Sequence, residues 1–300
     1  MAKSLKDKLF ELNNLSLSRE DKTQYLAKAL KDKSNILLAN VARIIAREDI
    51  KDLETELISS FERLKHNALK IDPSCAAKTA ILEALISLDC QEHELYLTAI
   101  KYIQLEPVFG GKEDTAVKLR VLAAQGLIKS NYYGVVNELA ALLADKEIQA
   151  RAAAIWALSN CNSLAAVPLL RYKAMLGDNS SRVMSACFDS LLLLEPNDSL
   201  AFVADFLDNK SIMTAETAAL SLGQARHEAS LGYLKNSLEK AIDKDFQKTI
   251  ITAIAMLRNE PAIDYLFEII KNQEIYADEA IIALKSFGDK DILDRLEQIQ

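Results

Sequence analysis

A 14-residue frame that repeats along the chain restricts its fold more than any other feature. At 145–158, DKEIQARAAAIWAL, an Asp opens, an Arg follows at +6, small residues fill +7 to +9, and an Ala-Leu pair closes at +12 and +13. The frame recurs at 114–127 (DTAVKLRVLAAQGL) and 178–191 (DNSSRVMSACFDSL), and in register at 72–85 (DPSCAAKTAILEAL) and 32–45. Further on it returns with a residue of slippage, closing at Leu222, Leu257 and Leu284. From Ile45 the closing positions lie 40, 42, 31, 33, 31, 35 and 27 residues apart. Such a period marks stacked repeats, each burying its apolar face on the next.

The frame has a physical logic. The opening Asp is expected to cap a helix by accepting an otherwise unpaired backbone N–H. Positions +5, +9, +12 and +13 share one helical face and form the expected buried stripe. Small residues at +8, +9 and +12 let helix backbones approach closely. Arg120 and Arg151, both at +6, are placed to bridge to neighbouring Asp residues as a ladder.

This phrase resembles the short bacterial HEAT repeat, including the HEAT-like repeats of the phycobiliprotein-lyase group, and most strongly between about residues 72 and 230. The resemblance implies an all-α fold, an α-α superhelix or HEAT-repeat solenoid. The expected organisation is a single array over 1–300. It has an N-terminal cap region at 1–31, about eight helix pairs in which the repeats run over 32–286, and a C-terminal cap helix at 287–300.

Composition agrees. Only 8 Gly and 5 Pro in 300 residues leave few turn signals for a β or α/β chain, and 50% hydrophobic residues suffice for a large core. Net charge is −7, which argues against non-specific binding to nucleic acid or an anionic membrane. Cys75, Cys90, Cys161 and Cys187 form no CxxC pair and read as core residues of a reducing cytosol. His66, His93 and His227 are isolated, so no metal or other cofactor is expected. The charged, amphipathic start MAKSLKDKLFELNNL gives no signal peptide, and no run of 18 apolar residues would span a bilayer. A cytoplasmic, bacterial protein is the expectation.

In chain order, residues 3–15 read as a capping helix with Leu5, Leu9 and Leu12 inward, and Ser18 as the cap of the next helix. Residues 52–70 read as one long helix, and Asp72-Pro73 as the start of its partner. The irregular stretch 104–113, QLEPVFGGKE, reads as a loop because it holds Pro107 and Gly110-Gly111. A QLEPV-aromatic-GG loop followed by DTA and LR, with VPLLRYKAMLGD at 167–178, resembles a family of uncharacterised bacterial HEAT-repeat proteins. Residues 289–299 close the array with Ile292, Leu293, Leu296 and Ile299 inward.

The resemblance places the second helix of each pair on the concave face, where variable outward positions bind partners. Position +11 reads Arg43, Glu83, Gln125, Trp156, Asp189, Leu220, Ala255 and Ile282. Position +4 reads Ile36, Ala76, Lys118, Gln149, Arg182, Met213, Lys248 and Ile275. The candidate surface is therefore Lys118, Gln125, Gln149, Trp156, Arg182 and Asp189, with Phe109 at the tip of the 104–113 loop. Trp and Arg are favoured interface anchors. Two readings stay open for each aromatic: Trp156 on the surface or filling a groove in the core, and Phe109 on a protruding finger or plugging the stack.

No GxSxG, HExxH, phosphate-loop or Rossmann glycine pattern occurs. The expected role is a non-enzymatic scaffold or adaptor that binds a protein or peptide, with no nucleic-acid or membrane partner. The alternative implied by fold resemblance is a bilin-lyase-like or DNA-glycosylase-like enzyme.

Overall fold

The computed structural model describes residues 4–13, 17–272 and 275–299. Residues 3, 14 and 15 of the expected capping helix lie outside this range. The chain divides into two compact units, 1–161 and 162–300, each an all-α stack of helix pairs.

The first unit contains α1 (Leu5–Asn13), α2 (Arg19–Ala29), α3 (Asn35–Arg47), α4 (Glu54–Lys65), a short α5 (Ala68–Ile71), α6 (Ala76–Ser87) and α7 (His93–Ala99). A two-stranded antiparallel hairpin follows, β1 (Leu105–Val108) and β2 (Gly111–Asp114), then α8 (Val117–Lys129), α9 (Val135–Leu142) and α10 (Ile148–Ser159). The second unit holds α11 (Ala166–Leu176), α12 (Ser181–Leu194), α13 (Pro196–Ala204), α14 (Ile212–Ala225), α15 (Ser230–Lys240), α16 (Lys244–Met256), α17 (Glu260–Lys271), α18 (Ala277–Lys285) and α19 (Lys290–Glu297). Among the described residues this makes eight helix pairs, with α1 and α19 at the ends. Second helices pack on second helices: α3, α6, α8 and α10 in the first unit, and α12, α14, α16 and α18 in the second.

The expected stripe is buried in all five clear repeats. At +5, +9 and +13, Leu37, Val41 and Ile45, Ala77, Ile81 and Leu85, Leu119, Ala123 and Leu127, Ala150, Ala154 and Leu158, and Val183, Cys187 and Leu191 are all buried. Small residues near the closing positions permit close approach, as at Gly223. A Cβ on Gly223 of α14 would stand 2.4 Å from the Ala253 carbonyl oxygen of α16. At the ends, Leu12 of α1 and Ile292 and Leu296 of α19 are buried, whereas Leu5 is 37% exposed.

The opening Asp caps its helix only at 72, where the carboxylate accepts the Ala77 and Lys78 N–H groups of α6 at 2.8 and 3.0 Å; in the other four clear repeats it does not. There the helix starts at +3, and the Asp side chain instead accepts the N–H of the residue at +2, which occupies the cap position. Asp32 Oδ1 accepts from Ser34 N at 2.9 Å, Asp114 from Ala116 at 3.0 Å, Asp145 from Glu147 at 2.8 Å and Asp178 from Ser180 at 3.1 Å. This is an Asx turn, which sets the chain's direction just before the helix. Asn209 does the same with Ser211 at 2.9 Å.

The far ends of the second helices also repeat. Asp49, Asp89, Asn131, Asn162, Arg226, Arg258 and Gly288 all have positive φ just beyond α3, α6, α8, α10, α14, α16 and α18. In the first three the next N–H reaches back five residues, as in Ile50 N to Ile45 O at 3.1 Å, and so closes a Schellman cap. Beyond α12 stands Glu195, whose φ of −139° is extended because Pro196 follows. These caps correct the register of one repeat. The closing residue of α16 is the fully buried Ile254, four before Arg258, and not Leu257.

Two further expectations change. The 52–70 helix is broken at Asn67, whose φ is 54°, and Pro73 opens a 3-10 turn (Pro73–Cys75) before α6 rather than α6 itself. The 104–113 loop is a hairpin, with Leu105 paired to Asp114 and Val108 to Gly111, turning on Phe109 and on Gly110 at φ +88°.

Candidate interaction surface

Helix periodicity alone decides which side chains the second helices leave outward. With +5, +9, +12 and +13 buried, +4 and +11 must lie on the opposite face. In the first unit Ile36 and Arg43 of α3, Ala76 of α6, Lys118 and Gln125 of α8, and Gln149 and Trp156 of α10 are all exposed. Glu83 of α6 is half-buried, and Lys118 reaches across to it with Nζ 2.6 Å from Oε1. Trp156 is 46% exposed, so it is a surface residue and not core filler. Its carbonyl accepts hydrogen bonds from Ser159 Oγ and Asn160 Nδ2, at 2.8 and 2.7 Å.

In the second unit Arg182 is exposed and Asp189 is half-buried on the same helix, α12, where Asp189 Oδ2 accepts from Ser185 Oγ at 2.8 Å. Leu220, Lys248, Ile275 and Ile282 are exposed and Met213 is half-buried. Ala255, expected outward, is buried. The three-residue register error in α16 explains this, and Thr252 is the outward residue there.

The hairpin of the first unit is a finger and not a plug. Phe109 is fully exposed, and Leu105 and Val108 are about half-exposed. Its base is held by a dense polar cluster. Glu106 Oε1 accepts from Ser74 N (2.6 Å), Gln104 Nε2 (2.7 Å) and Thr115 Oγ1 (2.7 Å). Partial burial works to raise the Glu106 pKa, but these donors and the charge of Lys78 outweigh it and hold the carboxyl below its usual range. Gln104 also donates to the Asp72 carbonyl at 3.0 Å. Behind it Lys78 Nζ lies 2.9 Å from Asp72 Oδ2, both side chains wholly buried. Asp72 further accepts the N–H groups of Ala77 and Lys78, at 2.8 and 3.0 Å.

On the other side of the base, Arg120 meets Asp114 of its own repeat at 2.7 Å and Asp145 of the next at 2.8 Å. The expected ladder thus exists at Arg120. Arg151 Nη1 donates to the Asp145 and Lys146 carbonyls at 3.0 and 2.9 Å. The frame at 72 carries Lys78 at +6, the position of Arg120, where it pairs with the opening Asp72 of its own repeat.

These polar groups satisfy one another, so the cluster anchors the finger and offers no free nucleophile. Burial raises the thiols of Cys75 and Cys90 to about 11 and that of Cys187 to about 12, so they remain protonated at neutral pH. Among the described residues no group of three His, Cys, Asp or Glu is arranged to hold a metal, and no helix is long and apolar enough to cross a membrane.

No family model matches the chain, and no curated protein matches it in sequence. Solved structures similar to it include human deoxyhypusine hydroxylase in complex with glycerol, at 17% identity and a TM-score of 0.34, covering 84% of this chain and 89% of that one. The CpcE–CpcF complex of phycocyanin lyase from Nostoc is similar at 16% identity and 0.35, covering 96% and 95%. The Escherichia coli protein YibA is similar at 18% identity and 0.48, covering 95% and 98%. At these scores the likenesses carry no functional weight, and the fold class rests on the chain's own helix pairs.

Proposed function

We propose that this chain is a non-enzymatic scaffold of the HEAT-repeat type that binds a protein or peptide through the outward face of its second helices. The observation that carries the reading is the exposure of Trp156 in the row formed by Lys118, Gln125 and Gln149, all on one unit. An indole left half in water contributes little to the fold, yet burying it against a partner would remove a large apolar area. Phe109 adds a second anchor on a finger whose base is fixed, so little ordering entropy is lost on binding. Arg182 and Asp189 hold the corresponding repeat positions in the second unit.

Affinity capture with the full chain tests this. Trp156→Ala combined with Asp189→Lys, and Phe109→Ala separately, are expected to lose a defined protein that the unaltered chain retains, with helical signal and melting nearly unchanged. Equal retention by all three chains would overturn the reading. Retention of nucleic acid or pigment in place of a protein would favour an enzymatic role.

A further inference from the structure

The second unit contains a groove lined in part by outward positions of α16 and α18, among them Lys248, Thr252 and Ile282. It lies between α16 and α18, has a volume of about 460 Å³, and is floored by Ala255, Met256, Ile282 and Phe287. Lys248 and Glu279, 3.8 Å apart, flank it toward one end, and a second depression of about 210 Å³ continues past them to Ile275. Arg258 marks the other end. Its guanidinium lies 5.2 Å from the centroid of the Phe287 ring and makes no hydrogen bond or ion pair among the described residues.

The choice of Arg at this position is informative. Residue 258 has φ 51°, a conformation that non-Gly residues other than Asn, Asp and His adopt at a cost. The matching positions of the six other repeats with positive φ are Asp, Asp, Asn, Asn, Arg and Gly, the Arg being Arg226. The backbone does not ask for Arg here, and what sets Arg258 apart from Arg226 is its place beside Phe287 at the end of the groove. An unpaired guanidinium beside an apolar floor offers forked donors to a carboxylate, next to a place for an aliphatic or aromatic group.

We propose that this groove binds the C-terminal residue of an extended peptide, with the terminal carboxylate on Arg258 and an apolar side chain over Met256, Ile282 and Phe287. A terminal apolar residue carries both groups on one Cα, which suits a guanidinium about 5 Å from the ring that walls the floor. Upstream residues run along the α16–α18 seam between Lys248 and Glu279. This inference rests on the proposed function's outward face and names a ligand for its α16–α18 part, while the principal anchors of that reading lie in the first unit.

The test uses fluorescein-labelled hexapeptides ending in Leu, Ile, Val or Phe, each as free acid and as C-terminal amide, titrated with the full chain. At least one free acid is expected to bind, and its amide to bind at least tenfold more weakly, the scale of a lost charge-assisted contact. Arg258→Asn is expected to preserve folding, because Asn suits the backbone, and to reduce the free acid to the affinity of the amide. Ile282→Ser, at an exposed position, is expected to weaken both forms. Trp156→Ala is expected to change neither, which separates failure here from failure of the scaffold reading. Binding of no peptide, equal binding of acid and amide, or unaltered binding by Arg258→Asn would overturn the proposal. So would an amide with an internal Asp that binds as well as the free acid, because the carboxylate would then come from a side chain.

Discussion

Close helix approach at Gly223 can be tested against a matched control. An added Cβ would meet the Ala253 carbonyl oxygen at 2.4 Å and the Ala253 Cα at 2.9 Å. Ordinary van der Waals contact begins near 3.4 Å, so α14 and α16 would have to separate by about 1 Å. Both atoms belong to backbone, and no side-chain rotation relieves the clash. Overpacking of this kind costs about 1–3 kcal/mol. Gly→Ala inside a helix also gains about 0.5–1 kcal/mol of intrinsic propensity. Gly232 of α15 isolates that gain, because a Cβ there meets nothing within 4 Å. Gly232→Ala is therefore expected to stabilise by about 0.5–1 kcal/mol, and Gly223→Ala to fall below it by about 1–3 kcal/mol. Urea unfolding followed by far-UV circular dichroism reads the difference as a shifted midpoint at unchanged slope. A Gly223→Ala chain that unfolds at or above the midpoint of Gly232→Ala would refute the close-approach argument.

Two further outcomes follow from the buried groups. Lys78→Met leaves the enclosed Asp72 carboxylate without its cation, facing two backbone donors and the Asn35 amide at 3.4 Å, and is expected to cost about 3–5 kcal/mol. Asp72→Asn with Lys78→Met is expected to cost less than the single change, and a double variant as unstable as the sum of both singles would contradict the pairing. In the native chain a thiol reagent is expected to label Cys161 first, since it alone of the four cysteines is not buried. Rapid labelling of two or more thiols before unfolding would show that the repeats open more readily than their packing implies.

The stripe at +5, +9, +12 and +13 was legible because burial on one face of a helix imposes a period that survives changes of residue. Val41, Ile81, Ala123, Ala154 and Cys187 are chemically varied but share one position and one environment. The outward face was legible for the same reason, and it failed only in α16, where Leu257 mimicked a closing residue. The Asn, Asp, Arg and Gly caps held the missing signal, at a fixed four residues past each closing position. Trp156 at +11 follows the same rule and faces outward, although its neighbours Ile155 and Ala157 are both buried. The hairpin escaped notice because four-residue strands carrying a proline and a glycine give no alternating pattern. Its anchoring depends on contacts such as Ser74 to Glu106, 32 residues apart, which local sequence cannot express.

The central claim is that the outward row of second helices is the working face. A photoreactive phenylalanine analogue placed at 156, 125 or 149, and at 133 as an exposed control outside the row, tests it most directly in cells that produce the protein. The account predicts one shared protein cross-linked from 156, 125 and 149 and absent at 133. Cross-links to that protein from 133 with none from the other three positions would contradict it.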